Sequence, residues 1–236
     1  MSETWSRADL HIHSDHSDGL PSIPEIMDHV QANTDLSVIA VTDHNTLEGA
    51  LFAKSLEDLY DFEVVVGEEV SSTAGHIIGL FLTDEIRPGM SAADTIAAIR
   101  EQDGIVVIPH PFANRAFGPF GLESVGDELG ELDFHALETV NSSPYLVWAN
   151  RVAAKAHADG AGAAAVGGSD AHVLRAIGTG YTLFSGGSAQ DLRSAIEAET
   201  TRACFGSGQA AVALHYFVRF RRIRKLQAWN WERCRP

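Results

Sequence analysis

The sequence predicts an α/β fold built on a largely parallel sheet, open or closed into a barrel. Two observations carry that reading. Short β-branched runs alternate with segments of helical period, and this strand-then-helix order repeats along the whole body of the chain without an internal repeat or a splitting linker. At 236 residues, 45% hydrophobic, with 21 Gly and only 8 Pro, the chain is also of a size and composition to bury one core. The first strand is expected over residues 8–12, followed by a helix over 24–33 with Pro24 in its first turn. A strand over 36–42 precedes a helix over 47–59, whose apolar residues recur at three- and four-residue spacing. Strands over 63–71 and 76–82 lead to a helix over 91–102 with Ser91 at the N-cap position, then to the strongly apolar strand 104–108. The Gly-rich, acidic stretch 112–133 reads as a long loop with a short helix. Strand 136–140, helix 146–158, strands 163–166 and 181–184, helix 188–199 and strand 202–205 complete the series.

Charge and cysteine usage narrow the classes of function. With 17 Lys+Arg against 32 Asp+Glu the formal net charge is −15, which taken whole argues against a general nucleic-acid binder. The balance is uneven, however. Residues 1–211 carry 10 basic and 31 acidic side chains, net −21, whereas residues 212–236 carry 7 and 1, net +6. The body is therefore expected as a catalytic domain over 1–211 followed by a basic, amphipathic tail over 212–236. Cys204 and Cys234 are too few for a disulfide framework and too far apart for a zinc knuckle. The first nine residues have no apolar signal-like region, and the longest apolar runs fall far short of the ~20 residues of a membrane span. A reduced, cytoplasmic setting is the expectation.

The chemistry sits at the ends of the expected strands. In Asp9-Leu10-His11-Ile12-His13 the two histidines are two apart on a strand, so both imidazoles project from one face, as two ligands of one metal require. Asp18, in a turn ended by Gly19, can return a carboxylate to the same region. Thr42-Asp43-His44-Asn45 follows the second strand, where Asp43 or Asn45 equally reads as a helix cap. In Gly67-Glu68-Glu69 adjacent carboxylates face opposite sides of the strand, so one of them at most is an inward ligand. His76 opens the next strand, Pro109-His110-Pro111 holds an imidazole at a strand tip, and Asp170 and His172 repeat the two-residue spacing of the first pair. Five such elements, each carrying His, and most of them Asp or Glu as well, point to a multinuclear hydrolytic centre rather than to scattered core histidines.

The ordered set DLHIHSDHSDG, VTDHN, GEEVS with HIIG, PHP and GSDAH, spanning residues 8 to about 184, resembles the PHP family, named for polymerase and histidinol phosphatase. The resemblance implies a distorted (β/α)7 barrel with three divalent metal ions at the C-terminal rim of its strands, and hydrolysis of phosphate esters. By the same resemblance His11, His13 and Asp170 match the ligands of the first metal, and Glu69 the carboxylate bridging two metals. His76 and His110 match the second metal, and Asp18, His44 and His172 the third. His16 competes with Asp18 for that place, Glu68 with Glu69. Asp43 is expected to orient His44 or to cap, and Glu138 resembles a family Glu that stands behind the ligands. His29, His135, His157 and His215 lie outside every motif and read as structural or exposed.

That ligand set implies a phosphoesterase in which metal-activated hydroxide attacks phosphorus. His44, His172 and Asp170 are the candidate catalytic groups, with leaving-group protonation open between His44, His172 and water. Arg115 and Arg175 are candidate clamps for the substrate phosphate, with a surface ion pair as the alternative for each. The metal stays open between Zn, Mn and Fe. A small phosphorylated metabolite or nucleotide is the expected substrate. The first alternative is a nuclease or nucleic-acid-end phosphatase that binds through the basic tail, with Trp229 and Trp231 as stacking groups. The second is a non-catalytic metal-binding interaction module, against which the full ligand set argues.

Overall fold

The structure, a computed structural model, describes residues 4–113, 125–126, 129–160 and 163–206. Arg115, most of the 112–133 loop and the 212–236 tail lie outside the described residues. Nine strands form one sheet: β1 (Trp5–Ile12), β2 (Val38–Val41), β3 (Glu63–Ser71), β4 (His76–Leu80), β5 (Ile105–Ile108), β6 (Ala136–Asn141), β7 (Ala164–Gly168), β8 (Gly180–Ser185) and β9 (Arg202–Phe205). Their order is β7-β6-β5-β4-β3-β2-β1-β8-β9. β1, β2 and β3 are parallel neighbours, as are β5, β6 and β7, while β4 and β8 run against the strands beside them. The sheet is thus largely parallel, with two reversed strands set into it. The helices are α1 (Ile23–Asn33), α2 (Glu48–Leu56), α3 (Ala92–Glu101), α4 (Val147–Ala158) and α5 (Ala189–Glu197). Ser91 caps α3 by accepting a hydrogen bond from the Asp94 amide, and Ser188 with Asp191 forms a capping box at α5.

The sheet curls until its two ends meet, which makes it a distorted, nearly closed barrel. Past β7 the chain bridges β1, Ile12 pairing with Ala171; the His13 amide donates to Ala171 O at 2.9 Å and the Ala171 amide to His11 O at 3.2 Å. Lower on the barrel a side chain does the joining. The Thr182 hydroxyl accepts from the Gly167 amide and donates to the Gly167 carbonyl, both at 2.9 Å. Glycine is required at this seam because a Cβ on Gly180 would lie 2.1 Å from the Gly168 carbonyl oxygen.

Strand residues sort onto two faces with period two. On β2, Val38 and Ala40 pack in one cluster with Val65, Leu80, Val107, Val166 and Phe184, and α5 adds Leu192 and Ile196 to it. Ile39 and Val41 pack on the other face with Ile23, Ile26 and Met27 of α1. Both faces of the strands are buried, which is why these runs read as continuously apolar. β1 departs from strict alternation. Between Asp9 and Ile12 its register with β2 shifts by one residue, so Ala8 and Leu10 pack with the first cluster but Ile12 with the second. A bulge that re-aims side chains in this way is what turns His11 and His13 inward.

Candidate metal centre

Six strands, β1, β2, β3, β4, β5 and β7, deliver donors to one rim of the barrel. His11 and His13 come from the end of β1, His44 from the turn after β2, and Glu69 from β3. His76 begins the reversed β4, His110 follows β5, and Asp170 and His172 follow β7. Asp18 reaches the same place from the loop after β1. The nine sequence-predicted ligands are brought together in four overlapping sets, within each of which one donor atom per residue lies inside 4.8 Å of the others. The sets are His11, His13 and Asp170; His11, Glu69 and His110; His44, Glu69 and His76; and His13, Asp18, His44 and His172.

Glu69 is the hub. Its Oε1 lies 3.1 Å from His76 Nδ1 and 3.0 Å from His110 Nε2, and its Oε2 lies 3.3 Å from His11 Nε2, His13 Nε2 and His44 Nδ1. Asp170 Oδ1 stands 3.6 Å from His11 Nε2 and 3.3 Å from His13 Nε2, and Asp18 Oδ2 stands 3.1 Å from His172 Nε2. The donor set tests well for divalent cations. Buried imidazole nitrogens normally make hydrogen bonds, yet His11 Nε2 and both ring nitrogens of His13 make none with the described residues. Donors bound to one ion at ~2.1 Å stand roughly 3 to 4 Å apart, the spacing seen here.

A second layer aims these donors. Glu138 Oε1 sits 3.1 Å from His11 Nδ1, which directs Nε2 inward, while Oε2 accepts from the His110 amide at 2.8 Å and from Asn141 Nδ2 at 2.9 Å. The Asp170 carbonyl lies 3.0 Å from His172 Nδ1 and so turns His172 Nε2 toward Asp18. Asp43 holds neither His44 nor a helix end. Its carboxylate accepts from the Ser14 amide at 2.7 Å and from the Ser14 and Ser17 hydroxyls at 2.5 Å each, and so pins the loop that carries Asp18. His110 and Asp170 occupy the left-handed region, at φ 28° and 53°, a conformation that costs a non-glycine residue about 1 to 3 kcal/mol and clusters at functional sites.

Electrostatics follow from this crowding. Burial alone would raise the Glu69 carboxyl, but His11, His76 and His110 outweigh it and hold it well below the usual range; His11, with His13 and His172, does the same for Asp170. Burial opposes charge on His13, yet Asp170 and Glu69 push it up to about 9. Burial keeps His44 below its ordinary value, whereas His172, despite burial, is raised by Asp18 and Asp170.

The remaining candidates fall outside the cluster. Glu68 points to the opposite face of β3, where Oε2 accepts from the Ile86 amide at 2.9 Å. His16 Nδ1 lies 3.5 Å from Glu48 and belongs to none of the four sets. Arg175 is exposed beside a groove formed with Leu20, Pro21, Glu25, Val173 and Leu174. Asn141, which also reaches Asp170 Oδ2 at 3.3 Å, carries no signal in the sequence and is found only from the fold.

Comparison with known proteins agrees with this arrangement. A family model described as PHP-associated matches residues 148–201. An uncharacterized protein of Methanocaldococcus jannaschii is 35% identical over 147 residues, 58% of this chain and 82% of its own. Among solved structures, the chain resembles a two-domain protein of Bacteroides vulgatus containing a predicted PHP-like metal-dependent phosphoesterase. That likeness has a TM-score of 0.71 at 20% identity over 86% of this chain and 65% of the other. It also resembles Endonuclease Q, solved with a 27-mer duplex bearing an abasic lesion at the active site, with a TM-score of 0.59 at 17% identity over 83% of this chain and 57% of that one. This chain therefore spans just under two thirds of the one and little over half of the other, and at these identities the likeness establishes the fold. The ordered donor motifs, the barrel that gathers them and the PHP-associated model matched over residues 148–201 place the chain in the PHP family.

Proposed function

We propose that the protein is a metal-dependent phosphoesterase that hydrolyses a small phosphate monoester with three divalent ions. The observation that carries this reading is the buried hub at Glu69, around which unbonded imidazole nitrogens converge at ligand spacing. His11, His13 and Asp170 would hold one ion and His76 with His110 a second, Glu69 serving both; Asp18, His44 and His172 would hold the third. Divalent ions in such a set supply Lewis-acid neutralisation of a phosphoryl group and a source of nucleophile at neutral pH.

The chain's own residues do the rest. Glu138 and the Asp170 carbonyl fix the tautomers of His11 and His172, so that no reorientation is needed when charge develops on the phosphoryl group. His44 and His172 stand at the open side of the cluster, each about a quarter exposed, where a leaving oxygen can be met. With Nδ1 engaged by the Asp170 carbonyl, His172 would present Nε2 to the third ion beside Asp18 and so would hold no proton there while that ion is bound. The metals also answer the charge problem, since three divalent ions bring about six positive charges into an acidic body.

The experiment is a phosphate-release screen over aryl phosphate, nucleotides, sugar phosphates and short oligonucleotides, run before chelation, after it and after return of Zn, Mn or Fe. Release that is lost to the chelator and restored by metal supports the reading. A second reading, nuclease action, draws on the net +6 tail and on the fold shared with Endonuclease Q. Cleavage of oligonucleotides in preference to small esters would replace the first reading with it.

A further inference from the structure

The cluster opens to solvent at Asp18, His44 and His172, whose side chains are 57%, 26% and 25% exposed, while His11, His13, Glu69 and Asp170 are at most 8% exposed. A phosphate ester must arrive from that open side. Next to it lies a groove of about 340 Å³ lined by Leu20, Pro21, Glu25, Val173, Leu174 and Arg175. Its walls continue the two loops that carry ligands. Leu20 is two residues beyond Asp18, Val173 directly follows His172, and the Leu20 amide donates to the His172 carbonyl at 3.0 Å. None of the nine donors lines the groove, so it is free for the part of the substrate beyond the phosphate. The volume sits at the low end of the ~300 to 1,000 Å³ typical of small-ligand pockets, enough for one compact organic group.

The charges in this groove are left unspent. Arg175 makes no ion pair or hydrogen bond with the described residues, although the chain is acidic throughout its body. Glu25 uses only Oε2 in the α1 capping interaction, accepting from the Ser22 amide at 2.9 Å and the Ser22 hydroxyl at 2.8 Å, which leaves Oε1 available. The two line one groove yet do not pair with each other. A cation and an anion held apart over an apolar floor of Leu20, Pro21, Val173 and Leu174 complement a ligand that itself carries both charges close together.

Resting on the phosphoesterase reading, we propose that this groove is the leaving-group site and that it selects a zwitterion of the α-amino-acid type, so that O-phosphorylated amino acids are the substrate class. The carboxylate pairs with Arg175, the ammonium with Glu25 Oε1, and the side chain lies on the apolar floor. In the reaction the oxygen of water bonds to phosphorus as the ester P–O bond breaks, and the alcohol oxygen takes up a proton. Inorganic phosphate and the free hydroxy amino acid leave.

The test compares kcat/KM of the metal-loaded full chain for O-phospho-L-tyrosine and O-phospho-L-serine with that for phenyl phosphate and ethyl phosphate, which lack the zwitterion. At least one phosphoamino acid is expected to exceed its matched ester tenfold or more. Arg175→Gln and Glu25→Gln, the latter able to keep the cap, should each cut that preference about tenfold through KM. Saturation-transfer NMR gives a readout without turnover, with signal from L-tyrosine or L-serine in the wild type and its loss in both variants. Hydrolysis of all four esters without preference, together with unchanged variants, overturns the groove assignment and leaves the phosphoesterase reading standing. No hydrolysis of any ester by the metal-loaded protein overturns both.

Discussion

Glu68 and Glu69 are neighbours with opposite surroundings. Glu69 meets five imidazoles, whereas Glu68 accepts from a backbone amide, and burial, with the Glu85 carboxylate nearby, pushes its carboxyl up to about 7. Glu68→Gln keeps an acceptor for Ile86 and should leave metal content within error of wild type with a stability change below ~1 kcal/mol. Glu69→Gln removes the shared charge and should lower both metal content and aryl phosphate hydrolysis at least tenfold. Metal analysis and urea unfolding of the pair read this out, and the reverse ranking would place the hub on the wrong residue. The alternation rule makes only one of the two carboxylates inward but does not say which. That depends on which face of β3 meets the barrel interior, and the interior is assembled from distant strands. Asp43 shows the same limit: its motif neighbour is His44, but its hydrogen bonds go to Ser14 and Ser17, some 26 to 29 residues earlier.

At the scale of elements, strand and helix positions were legible because apolar runs and caps are local. The expected strands 63–71 and 202–205 coincide with β3 and β9, and Ser91 is the cap of α3. Other features are not local. The two reversed strands, the β1 bulge and the seam between β7 and β8 depend on register between strands far apart in sequence, which periodicity within one strand does not encode. Strict alternation along β1 would set Asp9, His11 and His13 against the helices, and the one-residue shift before Ile12 reverses this for the two histidines. The seam can be tested by itself. Thr182→Val leaves the buried Gly167 amide and carbonyl without the hydroxyl that serves both, and should destabilise the fold by about 2 kcal/mol in urea unfolding. An unchanged midpoint would show that the barrel closes without it.

Across the whole molecule, an acidic body of net −21 surrounds a cluster in which protons stand in for cations until metal binds. His13 provides a pH signature. Its pKa of about 9 lies above its ordinary value near 6.5, so in the metal-free protein its ion pairs contribute stability that is fully present below ~6.5 and lost as pH rises through ~9. A cation must displace that proton. Apparent metal affinity should therefore rise by up to about tenfold per pH unit between pH 6.5 and 9, as calorimetric titration would show. A pH-independent affinity would mean that His13 is neutral before metal arrives. No helix among the described residues is long and apolar enough to cross a membrane. The central claim is that the histidine pair at the end of β1 holds metal for phosphate ester hydrolysis, and the His11→Ala, His13→Ala double variant tests it most directly. Measured for bound metal and for aryl phosphate hydrolysis on the same preparation, it should lose both together; full activity in that variant would contradict the account.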